Sequence, residues 1–73
     1  MINVKIFATL RDGREKSYNL PAEEFHSALD IMNYLAIEPE EVAILLVNGF
    51  HCTPEDSLKD GDMVSLFPPC AGG

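Results

Sequence analysis

Apolar residues alternate from the second position of the chain. Ile2, Val4, Ile6, Ala8 and Leu10 share one face of an extended segment, Asn3, Lys5 and Thr9 share the other, and Phe7 interrupts the polar side. Period two over this length predicts a half-buried strand. Asp12-Gly13 signals a turn, and Glu15 to Leu20 then predicts the returning strand of an N-terminal hairpin. Pro21 stops that strand. Beyond it the period changes: Phe25, Ala28, Leu29, Met32, Leu35 and Ala36 follow i, i+3, i+4, i+7 spacing, while His26, Ser27, Asp30, Asn33 and Tyr34 fall mainly opposite. The spacing predicts an amphipathic helix of about three to four turns. Glu23-Glu24 would sit near its N-terminus, where backbone amides favour negative charge, and Glu38-Pro39 would end it.

The next signal is an apolar run, Ala43 to Val47, bounded by Glu40-Glu41 and Asn48-Gly49. An unbroken run of this size predicts a central strand buried on both sides or nearly so. Asn48-Gly49 turns the chain into a short segment at Phe50 to Thr53. Leu58 is expected to anchor the irregular stretch that follows. Asp60-Gly61-Asp62 is a further turn, leading into Met63 to Phe67, with Val64 and Leu66 inward and Met63, Ser65 and Phe67 outward. The order is therefore strand, strand, helix, strand, short strand, strand. For so short a chain the simplest solution is an α+β architecture of two layers, a mixed sheet of four to five strands with one main helix on one face. The first and last strands, if adjacent, would run parallel in its middle.

Size and charge narrow the function classes. A chain of 73 residues buries only about 60% of the surface its unfolded form exposes, so it holds one modest core and no deep catalytic cavity. Twelve acidic residues against five basic ones give a net charge of −7, which disfavours nucleic acid as a partner, since binding its backbone needs a basic patch. No apolar run approaches the roughly 18 residues needed to span a bilayer, and the N-terminus opens directly into the first strand with no signal sequence. The expected location is the cytoplasm. There the two cysteines, Cys52 and Cys70, are expected as free thiols.

The sharpest chemical signal lies in residues 68–73, Pro68-Pro69-Cys70-Ala71-Gly72-Gly73, which follow the last strand of an expected globular unit spanning residues 1–67. Pro68-Pro69 cannot donate to a sheet ladder and favours an extended conformation. Six extended residues reach roughly 20 Å, enough to enter another protein's active site. Gly72-Gly73 has no Cβ atoms, so its backbone is slender enough to carry the Gly73 carboxylate down a narrow channel. A carboxylate is a poor electrophile, so a partner must activate it, for instance as an acyl-adenylate made with ATP. Sulfur could then replace one oxygen as a thiocarboxylate. All catalytic groups for these steps would lie in partners, which accounts for their absence from so small a chain. A terminal Gly-Gly pair by itself says little, since chain ends are often small and frayed. Here it follows a strand and a proline pair.

Several segments carry a family resemblance. Phe7-Ala8-Thr9-Leu10-Arg11, Val47-Asn48-Gly49, Leu58-Lys59-Asp60-Gly61-Asp62 and Val64 to Gly73 together resemble the small subunit of molybdopterin synthase. The similarity is strongest in the C-terminal half. It implies a β-grasp fold shared with ubiquitin and with the thiamine-pathway sulfur carrier. The proline pair favours the molybdopterin branch over the thiamine one. The resemblance further implies a carrier that is not an enzyme by itself and binds no cofactor. Gly73 would be adenylated by a ubiquitin-activating-type enzyme using ATP and sulfurated by a sulfur donor enzyme. The tail would then enter the large synthase subunit. Two departures stand out: the Arg11 to Arg14 loop is short for the family, and Cys70 occupies a position where a small aliphatic residue is common. Carriers of the same build serve other pathways, thiamine and tRNA thiolation among them, and some relatives are joined to lysines of target proteins. An interaction module with an incidental Gly-Gly is the third reading.

Other constellations are weaker. His26, His51, Cys52 and Cys70 lack the C-x-x-C or H-x-x-H spacing of a zinc site, so no metal is expected. A Cys-His nucleophile has no third orienting group. Phe7, Phe50, Met63 and Phe67 are the apolar residues the alternation leaves outside the core, and grouped on the outer sheet face they would form a docking patch for a partner protein.

Overall fold

The structure, a computed structural model, describes residues 1–69. Five strands, β1 (Ile2–Ile6), β2 (Ser17–Leu20), β3 (Ile44–Val47), β4 (Phe50–His51) and β5 (Met63–Phe67), and one helix, α1 (Ala28–Leu35), make up the domain. The sheet order is β2-β1-β5-β3-β4. β1 and β5 run parallel at its centre, with Val4 opposite Val64 and Ile6 opposite Leu66; the other neighbours are antiparallel. The inward residues of the two central strands are fully buried and meet Ala28, Ile31 and Met32 of α1 in one core. That is the two-layer mixed sheet expected from the alternation, with Val64 and Leu66 inward.

The first strand is shorter than its pattern suggests. It ends at Ile6 because the chain turns into a 3-10 helix, Ala8–Arg11, entered through Ala8 at φ 54°. The turn takes Ala8 out to solvent and still delivers Leu10 to the core, at 3% exposure. A period-two pattern cannot distinguish that arrangement from a continuing strand, since both bury Leu10.

The helix is also shorter, just over two turns. Its start is set by Ser27, whose Oγ accepts the Asp30 N–H at 3.3 Å, while the Asp30 carboxylate accepts the His26 N–H at 2.8 Å. This reciprocal capping outcompetes Glu23-Glu24 as the point of entry. Its end is set by Ala36, which adopts the left-handed conformation at φ 59°, ψ 39°. Ile37 then donates back to the Met32 carbonyl at 2.8 Å and buries its own side chain, at 2% exposure. Ala36 is exposed rather than on the buried face. The helix stops well before Pro39 because this six-to-one bond closes it. Arg14 reinforces that end from outside: its guanidinium donates to the carbonyls of Leu35 at 3.0 Å, Ala36 at 3.1 Å and Leu10 at 2.8 Å. The loop of the first hairpin is thereby tied to the helix.

The β3 strand is not buried on both sides. Leu45 is buried opposite Leu66, but Ile44 is 41% exposed opposite Phe67. One short helix covers one face of the sheet, so alternate residues of the run face out. At the far end of β3 a two-residue turn, Asn48 at φ 54° and Gly49 at φ 85°, matches the twist of the strands. Asn48 is held on both sides. Its Oδ1 accepts the Met63 N–H at 3.0 Å, and its Nδ2 donates to Asp62 Oδ1 at 2.9 Å. Asp62 Oδ2 in turn accepts the Lys59 N–H at 2.8 Å. The Lys59 amide chiefly holds the Asp62 carboxyl below its ordinary pKa; burial opposes this, and the Asn48 amide and the Lys59 charge support it.

Two outcomes follow from this network and from the helix end. Replacing Asp62 by Asn leaves one side-chain oxygen for two donors, the Asn48 amide and the Lys59 N–H, and is expected to cost about 1–2 kcal/mol at pH 7. A depressed folded pKa stabilises the native state above the unfolded value and loses that contribution as pH falls through the folded one. The gap between wild type and variant should therefore narrow steadily below about pH 4, as read by urea unfolding at a series of pH values. In contrast, Ala36→Gly should raise stability. Removing an exposed Cβ from a left-handed position relieves about 1–2 kcal/mol, part of which the freer unfolded chain returns. A net gain of about 1 kcal/mol corresponds to a rise in Tm of about 4–8 °C for a domain of this size.

Candidate functional site

Directly opposed residues of neighbouring strands project from the same face of a sheet, so the register sorts the outer surface. Asn3 and Lys5 of β1, Ser17 and Asn19 of β2, Met63, Ser65 and Phe67 of β5, Ile44 and Leu46 of β3, and His51 of β4 share the face away from α1. The β2 and β1 side of this face is polar, with the Asn3 amide donating to Ser17 Oγ at 3.3 Å and Asn19 Oδ1 at 3.1 Å. The β5 and β3 side is apolar toward the end where the chain leaves the sheet.

Phe67 is the last residue of β5 and lies beside Phe7, which follows β1. Their rings stack at 4.3 Å between centroids, 8° from parallel. The Phe7 N–H donates to the Leu66 carbonyl at 3.2 Å, which carries the parallel pairing one residue past β1 and holds the two rings level. Arg11 lies above the outer side of the pair, its guanidinium carbon 6.0 Å from the centre of the Phe7 ring, with Nε donating to the Ile6 carbonyl at 2.8 Å. Ile44 stands directly across from Phe67. Together these residues make an apolar shelf at the root of the tail. Pro68 is half-buried and Pro69 exposed. Cys70, Ala71, Gly72 and Gly73 lie outside the described residues.

The four residues expected to form one docking patch divide. Phe7 and Phe67 are in contact. Met63 is on the same face and 43% exposed, but it opens β5 while Phe67 closes it, a separation of about 13 Å along an extended strand. Phe50 pairs with Val47, which pairs with Val64, so the register places it on the helix side of the sheet. It is 77% exposed because β4 is an edge strand beyond the reach of α1. Phe50 is thus not part of the outer face: the two-residue turn sets its direction, and the alternation within β4 alone could not reveal it. Ile44 and Leu46 take its place. Their signal was present in the length of the apolar run, since one helix of this size cannot cover both sides of it.

The remaining candidate groups are apart. His51 is exposed on the outer face and Cys52 packs against the core. Burial, with the Asp56 carboxylate adding, pushes the Cys52 thiol pKa up, which opposes formation of the thiolate that nucleophilic chemistry requires. No cluster of three metal-ligating side chains exists among the described residues, and no helix among them is long and apolar enough to cross a membrane.

The sequence model of the ThiS family matches residues 4–73. The chain belongs to the ThiS family. Solved structures agree on the fold. SAMP1 from Haloferax volcanii superposes with a TM-score of 0.73 at 20% identity, covering 99% of this chain and 98% of that one. Subunits 1 and 2 of molybdopterin-converting factor from Helicobacter pylori 26695, solved as a protein–protein complex, include a chain with a TM-score of 0.65 at 22% identity, over 99% of this chain and 97% of that one. A Pyrococcus furiosus protein assigned as molybdopterin converting factor, subunit 1, matches with a TM-score of 0.65 at 28% identity, over 93% and 95%. No curated protein matches at the sequence level. The fold is the ubiquitin-like β-grasp, and membership of the ThiS family makes this protein a small ubiquitin-like sulfur carrier. Carrier subunits of this type are themselves non-catalytic.

For such a carrier the shelf at Phe7, Phe67 and Ile44 fixes the point at which the chain leaves the sheet. Stacked aromatic pairs contribute about 0.5–1.5 kcal/mol beyond the area they bury. Phe7→Ala and Phe67→Ala should each lower stability by about 1–2 kcal/mol, less than for fully buried rings. Urea unfolding of the two single variants and the double should give a coupling of about 1 kcal/mol between them; additive losses would mean that the rings do not support each other.

Proposed function

We propose that this ThiS-family carrier presents the carboxylate of Gly73 to a ubiquitin-activating-type enzyme, which adenylates it with ATP. A sulfur donor enzyme then converts it to a thiocarboxylate that gives sulfur to the pterin precursor of the molybdenum cofactor. In that last step the chain acts as the small subunit of molybdopterin synthase, with residues 68–73 inside the large subunit. The observation that carries the reading is the continuity of the family match from the first strand through Gly73, across a folded unit whose last strand ends at Phe67. The two molybdopterin-converting-factor neighbours and the Pro68-Pro69 pair support the molybdopterin branch. The large subunit is supported as a partner by the complex in which the Helicobacter pylori neighbour occurs.

The division of labour follows from the chemistry. A carboxylate resists attack by sulfide because it is already anionic and has no good leaving group. Adenylation supplies the leaving group: a carboxylate oxygen attacks the α-phosphorus of ATP and pyrophosphate departs. Sulfur then displaces AMP at the acyl carbon. The carrier's part is to deliver one slender, unhindered acyl group, and the shelf at Phe7 and Phe67 is where a partner would grip the body while the tail enters. The tail itself carries no acid, base or metal ligand besides the Cys70 thiol.

Intact-mass spectrometry of the chain incubated with ATP and the activating enzyme of its own cells should show an adenylate. Adding the sulfur donor should replace one oxygen by sulfur. Deleting Gly73, or adding one residue after it, should abolish both products while leaving thermal unfolding unchanged. Ladders of conjugates in place of a thiocarboxylate would identify a protein modifier, and an unmodified chain in every condition would overturn the carrier reading at Gly73.

A further inference from the structure

Charge is unevenly distributed along this acidic chain. Four of the five Lys and Arg residues fall before residue 17, whereas ten of the twelve Asp and Glu residues follow it. The fold gathers three of these cations. Lys5 of β1, Arg11 of the 3-10 helix and Lys16 just before β2 line one shallow depression of about 180 Å3, with Ile6, Phe7 and Ser17 completing it. All three are on exposed residues. Carboxylates outnumber cations more than two to one, yet none of the three makes an ion pair among the described residues, where the single pair joins the Met1 amine to Asp60. Arg11 commits only Nε, to the Ile6 carbonyl, and its terminal nitrogens bond to no other described residue. Asp12 and Glu15, the carboxylates nearest in sequence, are not part of the lining.

Phe7 belongs both to this depression and to the stack with Phe67, so the cations border the apolar shelf at the root of the tail. We infer that Lys5, Arg11 and Lys16 form the charged flank of one docking surface and receive Asp and Glu side chains of the adenylating enzyme that takes the tail. A protein surface fits better than a small phosphate. The depression is open, no α-helix begins there to aim backbone amides into it, and through Phe7 it adjoins the half-buried Phe67 ring and the exposed Ile44. Apolar contact is non-directional, whereas charge pairs fix orientation and speed encounter. On a molecule of net charge −7, an acidic partner meets net repulsion as a whole and attraction at this flank, and the contrast favours the pose that brings the root of the tail to it. The partner's role rests on the carrier reading above; the surface does not.

Two measurements test the inference, one independent of Gly73. In the first, the 15N-labelled full chain is titrated with poly-L-glutamate at low salt and followed by its amide resonances. The amides of Lys5, Phe7, Arg11, Lys16 and Ser17 should shift, and the effect should vanish near 0.2 M salt, where the screening length falls to about 7 Å. The Lys5→Glu/Lys16→Glu double variant, whose exposed side chains make no hydrogen bond, should melt like the wild type and bind at least about tenfold more weakly. Shifts elsewhere, unchanged binding by the variant, or equally tight binding of inorganic phosphate at the same residues would each overturn the proposal. In the second, the variant is assayed with the adenylating enzyme. KM for the carrier should rise about tenfold with kcat unchanged, and the salt dependence of kcat/KM should flatten. Equal KM and equal salt dependence would sink the charged flank while leaving adenylation at Gly73 standing. Absence of adenylation of the wild type would sink the carrier reading, and the titration would still decide the surface.

Discussion

The parallel pairing of β1 with β5 is the constraint from which the rest of the molecule follows. It joins residues about sixty positions apart, and the inward side chains along it, Ile2, Val4, Ile6, Val64 and Leu66, have no measurable exposure. Burying that much aliphatic surface supplies the main driving force for a domain of this size, at about 25 cal/mol per Å2. Because the two strands are parallel, the chain must cross from one end of the sheet to the other between them. The helix, the β3–β4 hairpin and the irregular 52–62 stretch make that crossing. The same pairing sets Phe7 beside Phe67. The place where the chain leaves the sheet is therefore fixed by the most buried part of the fold, so the departure point of the tail can shift only if the centre of the sheet does.

This core was legible because it obeys local rules. Strict alternation at Ile2 to Ile6 and at Val64 and Leu66 needs only a pleated backbone and one wet face, and the 3.6 period after Pro21 needs only one helix face to bury. The elements that escaped depend on competition between local and tertiary terms. Ala8 at φ 54° bears a cost that alternation cannot register, and the hydrogen bonds that close the 3-10 helix and the delivery of Leu10 to the core offset it. The start of α1 was encoded in Ser27 and Asp30, a capping pair that outweighs the weaker preference of Glu23-Glu24 for a helix N-terminus. Its end was not encoded so plainly, since Ala36 stands where glycine is usual and only the burial of Ile37 explains why the chain turns there.

The candidate site was legible in part, for a related reason. Phe7 and Phe67 stood out because they violate the alternation of their own strands, and the six-residue tail stood out by composition. Ile44 and Leu46 were hidden in a run whose residues are apolar on both faces, so period alone could not say which were wet. Phe50 was misdirected because the facing of a two-residue strand is decided by the turn before it. The cations were hidden differently. Lys5, Arg11 and Lys16 are spread over twelve positions and interrupted by Asp12 and Glu15, so the segment does not read as a basic run. The hairpin and the 3-10 helix separate the signs in space, and a net charge of −7 conceals a local positive flank.

Arg11 and Arg14 show how one residue type serves two purposes three positions apart. Arg14 gives N–H groups to the carbonyls of Leu10, Leu35 and Ala36, at the helix C-terminus where backbone dipoles favour a cation. It is consumed by the fold. Arg11 gives one N–H to Ile6 and keeps its remaining donors outward above Phe7. The first makes the second useful. A 73-residue chain has little core to spare for holding a surface loop, and the loop between β1 and β2 contains two glycine-like kinks, at Ala8 and Gly13. Left to itself such a loop would sample many orientations, and an arginine on it would carry charge without direction. Anchored to the helix by Arg14 and to the sheet through the Ile6 carbonyl, it holds Arg11 and Phe7 in a constant relation to Phe67, which is the condition for charge and apolar surface to act as one interface.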